Sequence, residues 1–331
     1  MKFVIYGVGA IGGTLAARLS LSGYEVQGIA RGQHLKAIND AGLILRTPET
    51  KETAKFRCFD DPTQINFDPD DIIFLSMKTQ DTQEALERLR VAGVRGQAIV
   101  CAQNGVANER FTLRHFKNTY GMTVMLPASY MVSGEVNAFG APKHGILDIG
   151  RYPFGLDENV TTIVDALNAS GFAAFAHERV MENKYGKLML NLSNIIGAAL
   201  GSEARSGPFT KLVRAEGEAV LRAANLSYTD LGEKNPRRDK LMQDKAIEGV
   251  ERIGSSSAQS LARQSGSIET AYLNGEIVLL GRLHNVPVPV NAYFCDLAQQ
   301  MVNDAIPPGT ISPEKVKKEI AELGQITPPL H

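Results

Sequence analysis

The architecture of this chain can be read first from the stretch Lys2-Phe3-Val4-Ile5-Tyr6-Gly7-Val8-Gly9-Ala10-Ile11-Gly12. Five residues of strand character enter a G-x-G-x-x-G turn, a helical pattern follows from Thr14, and a second apolar run covers residues 25–30. A strand, a glycine turn, a helix and a second strand within about thirty residues form the βαβ unit that binds dinucleotides. The sequence therefore predicts an α/β protein with an N-terminal Rossmann-type domain.

Each glycine of this turn has an expected task. Gly7 would allow the tight turn, Gly9 would let the backbone approach a pyrophosphate, and Gly12 would let the helix lie close to the strand. The pyrophosphate would then sit at the helix N-terminus, beside Ala10 and Ile11, where free N–H groups and the helix dipole favour an anion. A glycine-rich turn without a ligand is the alternative, and the βαβ context argues against it.

The end of the second strand indicates which dinucleotide would bind. A fold that prefers NAD usually places Asp or Glu there to hold the ribose 2′-hydroxyl. This chain has Arg31, followed by Gln33 and His34. Because a cation in this position suits a 2′-phosphate, the sequence favours NADP(H), with an ordinary surface arginine as the alternative.

Two further strands end in polar residues. The buried strand predicted over 71–76 leads to Lys78, and the strand predicted over 98–102 leads to Asn104-Gly105. Doubly wound sheets bind ligands beyond the carboxyl ends of their strands. Lys78 is therefore a candidate cofactor contact. Asn104 is either a turn residue or a cofactor or substrate contact.

Bulk properties exclude several classes of protein. A length of 331 residues favours two domains, and a formal net charge of -1 gives no electrostatic case for nucleic acid or a membrane surface. The three cysteines and six histidines form no metal-ligand spacing, which predicts free thiols and no metal site. No apolar run is long enough to span a membrane. We expect a soluble, cytoplasmic protein.

The chain changes character near residue 180. We predict a Rossmann domain over 1–178 and a helical substrate-binding and catalytic domain over 179–331. The second domain shows helical periodicity in six segments, which are 181–200, 208–226, 239–262, 268–285, 290–303 and 313–323. The sequence 235–239, which contains Arg237, reads as a solvated loop that could receive an anion. The helical domain could also supply the face of a homodimer.

A polar stripe marks the first helix of the second domain. At about 100° per residue, Asn183, Lys187, Asn191 and Asn194 fall on one face of an otherwise apolar segment. A lysine and amides on a buried helix need partners, either elsewhere in the protein or on a bound ligand. A substrate-binding stripe with Lys187 at its centre is the sharper interpretation.

A second polar group follows later in the chain. It comprises Ser255-Ser256-Ser257 and then Glu269, which opens an apolar segment. By itself Glu269 reads as an acidic residue that complements the dipole of its helix.

Taken in order, these motifs resemble the ketopantoate reductase (2-dehydropantoate 2-reductase) family. The resemblance covers essentially the whole chain. It rests on the glycine turn, Arg31, Lys78, Asn104-Gly105, Lys187-Leu188 with Asn191, the pair Ser255-Ser256, and Glu269 with Tyr272-Leu273-Asn274-Gly275. It implies a Rossmann domain, an all-helical C-terminal domain and NADPH in the cleft between them. It also implies reduction of ketopantoate to pantoate, on the route to pantothenate and coenzyme A.

The resemblance assigns roles residue by residue. Lys187 matches the catalytic lysine that donates a proton to the keto oxygen, and Glu269 matches the acidic residue that places lysine and substrate. Asn191 and Ser256 match substrate contacts, and Asn104 matches the asparagine near both the nicotinamide and the reacting carbonyl. Arg31 and Lys78 match contacts to the 2′-phosphate.

The sequence departs from the family pattern in its substrate half. Many members have an amide at the position of Ile195, where this chain has Asn194 one residue earlier, and Tyr185 stands where Trp is expected. Two alternatives follow: a related reductase for another 2-oxo acid or an imine, and a non-catalytic NADP-binding regulatory protein.

Overall fold

The computed structural model describes residues 1–232, 235–264 and 266–326. The chain forms two compact units. The first comprises Met1–Lys187 and Tyr228–Arg252, and the second comprises Leu188–Ser227 and the chain from Ile253 onward. This division differs from the predicted boundary after residue 178, because most of the next helix and the segment from Tyr228 belong to the first unit. Residues 327–331, which the prediction placed in the second domain, lie outside the described residues.

All strands of the described chain lie in the first unit. In chain order they are β1 (Phe3–Tyr6), β2 (Val26–Ile29), β3 (Leu43–Arg46), β4 (Lys51–Ala54), β5 (Arg57–Phe59), β6 (Ile72–Leu75), β7 (Ala98–Cys101), β8 (Thr119–Met125), β9 (Ala128–Ser129), β10 (Glu135–Ala138), β11 (Gly140–Pro142), β12 (Ile146–Arg151), β13 (Ala173–Ala176) and β14 (Met242–Asp244).

The α-helices divide between the units. In chain order they are α1 (Ala10–Leu21), α2 (Gly32–Ala41), α3 (Thr82–Val91), α4 (Asn108–Leu113), α5 (Glu158–Ala169), α6 (Val180–Asn191), α7 (Asn194–Leu200), α8 (Pro208–Ala223), α9 (Pro236–Leu241), α10 (Ser256–Ala262), α11 (Asn274–Leu283), α12 (Pro289–Asn303) and α13 (Pro313–Ile326).

The main sheet has eight strands in the order β13-β12-β8-β7-β6-β1-β2-β5. From β5 to β8 neighbouring strands are parallel, and β12 adds antiparallel to β8. The chain winds outward in both directions from β1 and β6, so the topological switch point lies between these two strands. The predictions of a Rossmann-type sheet and of antiparallel strands at its end are confirmed.

Alternate residues of β1 supply the two faces of this sheet. Phe3 and Ile5 belong to the core that α1 and α5 cover, whereas Val4 and Tyr6 belong to the core under α3. Burial on both faces explains why the central strands read as continuous apolar runs rather than as alternating patterns.

The prediction of one helix over 239–262 is wrong. Asn235 caps the short helix α9, after which β14 pairs antiparallel with β11, in the register Ala141 to Gln243. Helix α10 begins only at Ser256. The strand depends on a partner about a hundred residues earlier, and local periodicity carries no information about such a partner.

The second unit is helical throughout its described residues. Helix α12 packs against α7, α8, α11 and α13, and its Phe294 is fully buried. Glu216 of α8 accepts the N–H groups of Val290 and Asn291 at 2.8 and 2.9 Å, and so caps the first turn of α12. The prediction of an all-helical C-terminal domain is confirmed.

Candidate active site

The predicted cofactor residues follow four neighbouring parallel strands, β2, β1, β6 and β7. Arg31 comes two residues after β2, the glycine turn begins directly after β1, and Lys78 and Asn104 each come three residues after β6 and β7. Since the carboxyl ends of parallel strands meet at one edge of a sheet, the structure brings these groups to the same edge, across the switch point.

The protein's own packing explains two of the three glycines. Gly7 has φ +99°, and a Cβ there would lie 2.7 Å from the backbone nitrogen of Met77. A Cβ on Gly12 would collide with the carbonyl oxygen of Gly7 and with Ser76 Oγ. Ser76 Oγ itself donates to the carbonyl of Gly7 at 2.9 Å, which joins the loops after β1 and β6. These positions accept only glycine because backbone and side chain approach them closely.

Gly9 is different, since packing among the described residues does not require a glycine there. Its φ is -88°, which any residue adopts, and a Cβ there would meet no described atom within 4 Å. Gly9 occupies the N-cap position of α1 and has no side chain to satisfy the first N–H groups of the helix. An open space in front of unsatisfied helix N–H groups fits the pyrophosphate of a dinucleotide.

The side chain of His34 supports the glycine turn through a hydrogen bond to Val8, the residue between Gly7 and Gly9. Its Nδ1 accepts the N–H of Gly134 at 2.9 Å, so its Nε2 carries the proton and donates to the carbonyl of Val8 at 2.6 Å. The ring also packs on Tyr130 at 4.4 Å between centroids. Burial lowers the pKa of His34, which keeps the neutral form that this pair of bonds requires. The sequence placed His34 next to Arg31 but did not predict this supporting role.

Arg31 lies exposed at the N-terminal end of α2, two residues after the end of β2. No carboxylate follows β2 at Ala30, Arg31 or Gly32. The position is open to solvent and carries a planar cation, which is the arrangement that receives a phosphate.

A buried polar network joins the loops that carry Lys78 and Asn104. Gln103 donates from Nε2 to the carbonyl of Met77 at 3.1 Å and to Thr82 Oγ1 at 2.7 Å. Asn108 donates to Thr79 Oγ1 at 3.1 Å and to the carbonyl of Asn104 at 3.2 Å. The sequence did not predict this network, although polar side chains in the segments that follow two buried strands were a signal for it.

Helix α6 carries the predicted catalytic lysine. Lys187 is half-buried and Asn191 is buried. Asn183 proves to be an internal contact of the first unit, because its Nδ2 donates to Asp148 Oδ2 at 2.9 Å. Of the two kinds of partner expected for the polar stripe, the protein or a bound ligand, Asn183 therefore has a partner within the protein.

Arg237 also binds Asp148. Its guanidinium donates twice to that buried carboxylate, at 2.7 and 2.9 Å. The reading of this segment as a solvated loop is wrong at Arg237, because a distant carboxylate on β12 pairs with it. This contact ties the returning segment from Tyr228 to the main sheet.

The predicted helix over 181–200 is interrupted. Helix α6 ends at Asn191 and α7 begins at Asn194, so the four-residue stripe calculated for one continuous helix does not extend to Asn194. Side chains compete with the helix at this turn, since Ser193 Oγ donates to the carbonyl of Leu190 at 3.0 Å. Asn194 Oδ1 accepts from Arg205 at 3.1 Å.

The structure distinguishes the adjacent serines. Ser255 is buried, caps α10, and donates from Oγ to the carbonyl of Asn194 at 3.0 Å. Ser256 is exposed at the first position of α10, and Ser257 is buried. The hydroxyl of Ser255 thus has a structural task, and Ser256 is the one of the three that faces solvent.

Glu269 is half-buried and begins a 3-10 turn, Glu269–Tyr272, rather than the α-helix predicted over 268–285. Helix α11 starts at Asn274, after Leu273 departs from helical geometry.

Among the described residues, no group of three or more His, Cys, Asp or Glu side chains could hold a metal ion. No described helix combines the length and the apolar character needed to cross a membrane.

The doubly wound sheet, the glycine turn at its switch point and the helical second unit define a dinucleotide-binding protein of the Rossmann class. Two family models match the chain, "Ketopantoate reductase PanE/ApbA" over residues 3–153 and "Ketopantoate reductase PanE/ApbA C terminal" over residues 179–302. The chain belongs to the ketopantoate reductase family. Family membership makes the cofactor a nicotinamide dinucleotide.

Relatives support this assignment along most of the chain. The 2-dehydropantoate 2-reductase of Pyrococcus horikoshii is 28% identical over 300 residues, which cover 88% of this chain and 94% of the relative. The enzyme of the same name from Mesorhizobium japonicum is 28% identical over 316 residues, covering 87% and 94%. A crystal structure of a PanE/ApbA family ketopantoate reductase from Ralstonia eutropha is 26% identical with a TM-score of 0.77, covering 92% and 99%. D-mandelate dehydrogenase, solved with NADH and anilino(oxo)acetate, shares the fold at 20% identity with a TM-score of 0.78, covering 93% and 100%.

Proposed function

We propose that this protein is an NADPH-dependent reductase of a 2-oxo acid, with 2-dehydropantoate (ketopantoate) as the substrate and pantoate as the product. The observation that carries the proposal is the meeting of the glycine turn, Arg31, Lys78 and Asn104 at one edge of four parallel strands. The names of the relatives supply the substrate.

The cofactor half of the proposal follows from charge and space. The open side of Gly9 and the N-terminus of α1 would receive the pyrophosphate, and Ala10 and Ile11 would offer their N–H groups. Arg31 would bind the 2′-phosphate, with Lys78 as a second cation. A strand end without a carboxylate does not offer the 2′-hydroxyl contact that NAD-specific sites use.

The chemical half rests on Lys187. The bound nicotinamide would supply a hydride to the keto carbon, and the Lys187 ammonium would donate a proton to the keto oxygen, which gives the 2-hydroxy acid. Asn104 would orient the reacting carbonyl, and Glu269 would place the lysine and the substrate. Asn191, Asn194 and Ser256 would bind the polar groups of the substrate, including its carboxylate.

The test is a steady-state assay that follows the loss of reduced nicotinamide. We expect turnover with ketopantoate and NADPH, and much lower efficiency with NADH. Lys187→Ala should lower kcat by about a hundredfold or more while NADPH binding is retained, because the proton donor acts only in the transition state. The exposed Lys211→Ala is the matched control.

Two outcomes would contradict the proposal. Turnover with other 2-oxo acids or imines but not with ketopantoate would move the substrate to the first alternative. NADPH binding without turnover of any of these compounds would support a regulatory protein. A homodimer through the helical unit stays a prediction, which light scattering after size exclusion would test.

A further inference from the structure

A buried ion pair contacts the loop that carries Asn104. Lys184 of α6 and Glu109 of α4 bind each other, and their side chains are 2% and 0% exposed. The Lys184 ammonium also donates to the carbonyl of Gln103 at 3.0 Å and lies 3.4 Å from the carbonyl of Cys101. All three donor protons of the ammonium are thus directed at groups of the first unit.

Gly121 of β8 lies next to this buried pair. A Cβ on Gly121 of β8 would lie 3.4 Å from Lys184 Cδ and 3.5 Å from Glu109 Oε1, which is ordinary van der Waals contact with both side chains. Glu109 Oε2 has no hydrogen-bond partner among the described residues. Burial raises the pKa of Glu109, and the ammonium opposes that shift. A buried pair of this kind is not a strong source of stability compared with apolar residues of similar volume.

The pair lies between two segments that carry predicted site residues. Gln103 directly precedes Asn104, and Lys184 lies one helical turn before Lys187 on α6. The ammonium therefore connects the loop that bears Asn104 with the helix that bears Lys187. Through Gln103 and Asn108 the same connection reaches the loop of Lys78.

We infer that Lys184 and Glu109 are positioning residues that fix Asn104 relative to Lys187. This inference rests on the proposed function. A displacement of about 1 Å in such groups can cost about a hundredfold in rate, so a fixed distance between the loop and the helix matters more for turnover than for folding.

The chain contains a matched control at the opposite edge of the same sheet. Lys2 directly precedes β1 and pairs with Asp71, which directly precedes β6, at 2.6 Å, with exposures of 6% and 0%. This pair is also a buried lysine with a buried carboxylate. It lies at the amino ends of the strands, away from every predicted site residue.

The experiment compares three variants of the full-length protein. Lys184→Met leaves Glu109 buried and unpaired, Lys184→Met with Glu109→Leu replaces the whole pair by apolar groups, and Lys2→Met disrupts the control pair. For each we would measure unfolding by urea, the Kd of NADPH, kcat and KM for the 2-oxo acid, and hydrogen exchange of the backbone over 102–110.

For the double variant we expect near wild-type stability, because apolar groups of similar volume replace a buried ion pair at little cost. Its kcat should fall about tenfold or more, exchange over 102–110 should become faster, and the Kd of NADPH should change less than threefold. Lys184→Met should in addition lose stability. Lys2→Met should lose stability but keep the kcat of the folded protein.

Wild-type kcat and wild-type exchange over 102–110 in the double variant would overturn the inference. An equal loss of kcat in Lys2→Met would do so as well, since it would show a general effect of destabilisation. If the wild-type protein reduced no 2-oxo acid, the proposed function would fail separately. Hydrogen exchange would then still test whether the pair fixes the loop.

Discussion

Asn274 donates its Nδ2–H to the carbonyl oxygen of Leu192 at 3.1 Å, across 82 residues of sequence. Leu192 lies in the turn between α6 and α7, between the predicted substrate contacts Asn191 and Asn194. The same amide also donates to Asn291 Oδ1 at 3.0 Å, and Asn291 in turn is held by Glu216. The interruption of the helix is therefore supported by a buried chain of amides.

Replacing Asn274 should destabilise the protein and impair substrate binding. Asn274→Ala would leave buried acceptors on Leu192 and Asn291 unpaired, and we expect a loss of roughly 1–3 kcal/mol in the free energy of unfolding. KM for the 2-oxo acid should also rise, because Asn191 and Asn194 flank the turn. Urea unfolding and steady-state kinetics measure both effects. The control is Asn303→Ala, which removes an exposed amide that accepts from Gln299; equal effects of the two changes would contradict this prediction.

Gly9→Ala should separate cofactor binding from folding. Since a Cβ at Gly9 meets no described atom within 4 Å and φ is -88°, we expect an almost unchanged Tm. The methyl group would occupy the space proposed for the pyrophosphate, so the Kd of NADPH should rise about tenfold or more, equivalent to about 1.4 kcal/mol.

Substitutions at two other glycines serve as controls for Gly9→Ala. Gly12→Ala should lower Tm strongly, because its Cβ would collide with the carbonyl of Gly7 and with Ser76 Oγ. Gly96→Ala, where an added Cβ likewise meets no described atom within 4 Å, should leave both Tm and cofactor affinity unchanged. An unaltered Kd of NADPH in Gly9→Ala would contradict the proposal that the pyrophosphate binds at this turn.

Arg31 should determine the choice between the two nicotinamide cofactors. Arg31→Gln removes a charged contact to the 2′-phosphate, and hydrogen bonds to charged groups are worth about 1.5–3 kcal/mol. We therefore expect kcat/KM for NADPH to fall about tenfold to a hundredfold, while kcat/KM for NADH stays nearly constant. Arg114→Gln changes an exposed arginine elsewhere in the unit and serves as the control. A parallel loss with both cofactors would place Arg31 outside the phosphate site.

Acid should destabilise the first unit through two histidines. Burial, with the Arg18 guanidinium as a second cause, lowers the pKa of His144 to about 4, and burial also lowers the pKa of His34. Between an unfolded-state pKa of about 6.5 and the lower folded-state pKa of each ring, the unfolded chain binds more protons. Stability is therefore fully present above about pH 6.5 and is lost as the pH falls toward 4.

The size of this effect can be bounded and measured. For His144 the loss at pH 5 would be at most about 2 kcal/mol, and solvent screening of the half-buried ring reduces it. Urea unfolding at pH 7 and pH 5 should show a smaller difference in His144→Gln than in the wild-type protein, with the exposed His284→Gln as the control. If His144→Gln kept the full pH dependence, His144 would not be its source.

Elements that depend only on near neighbours could be predicted from the amino-acid sequence alone. The βαβ opening is specified within residues 2–30, because strand burial, glycine geometry and helix periodicity are all local patterns. The same holds for α13, where Pro313 begins the helix and the Ser312 hydroxyl accepts the N–H of Lys315 at 3.4 Å. These patterns also sufficed to place the glycine turn, Lys78 and Asn104 at one sheet edge, because parallel strands share their direction.

Features that depend on distant partners could be recognised only in the folded chain. Residues 242–244 form a strand because they pair with β11, Asp148 forms an ion pair with the half-buried Arg237, and the amide of Asn274 supports the turn at Leu192. The burial of Lys184 against Glu109 likewise joins residues 75 positions apart. A side chain's role in such cases is set by what lies across the fold from it, and neither periodicity nor composition along the chain encodes that neighbour.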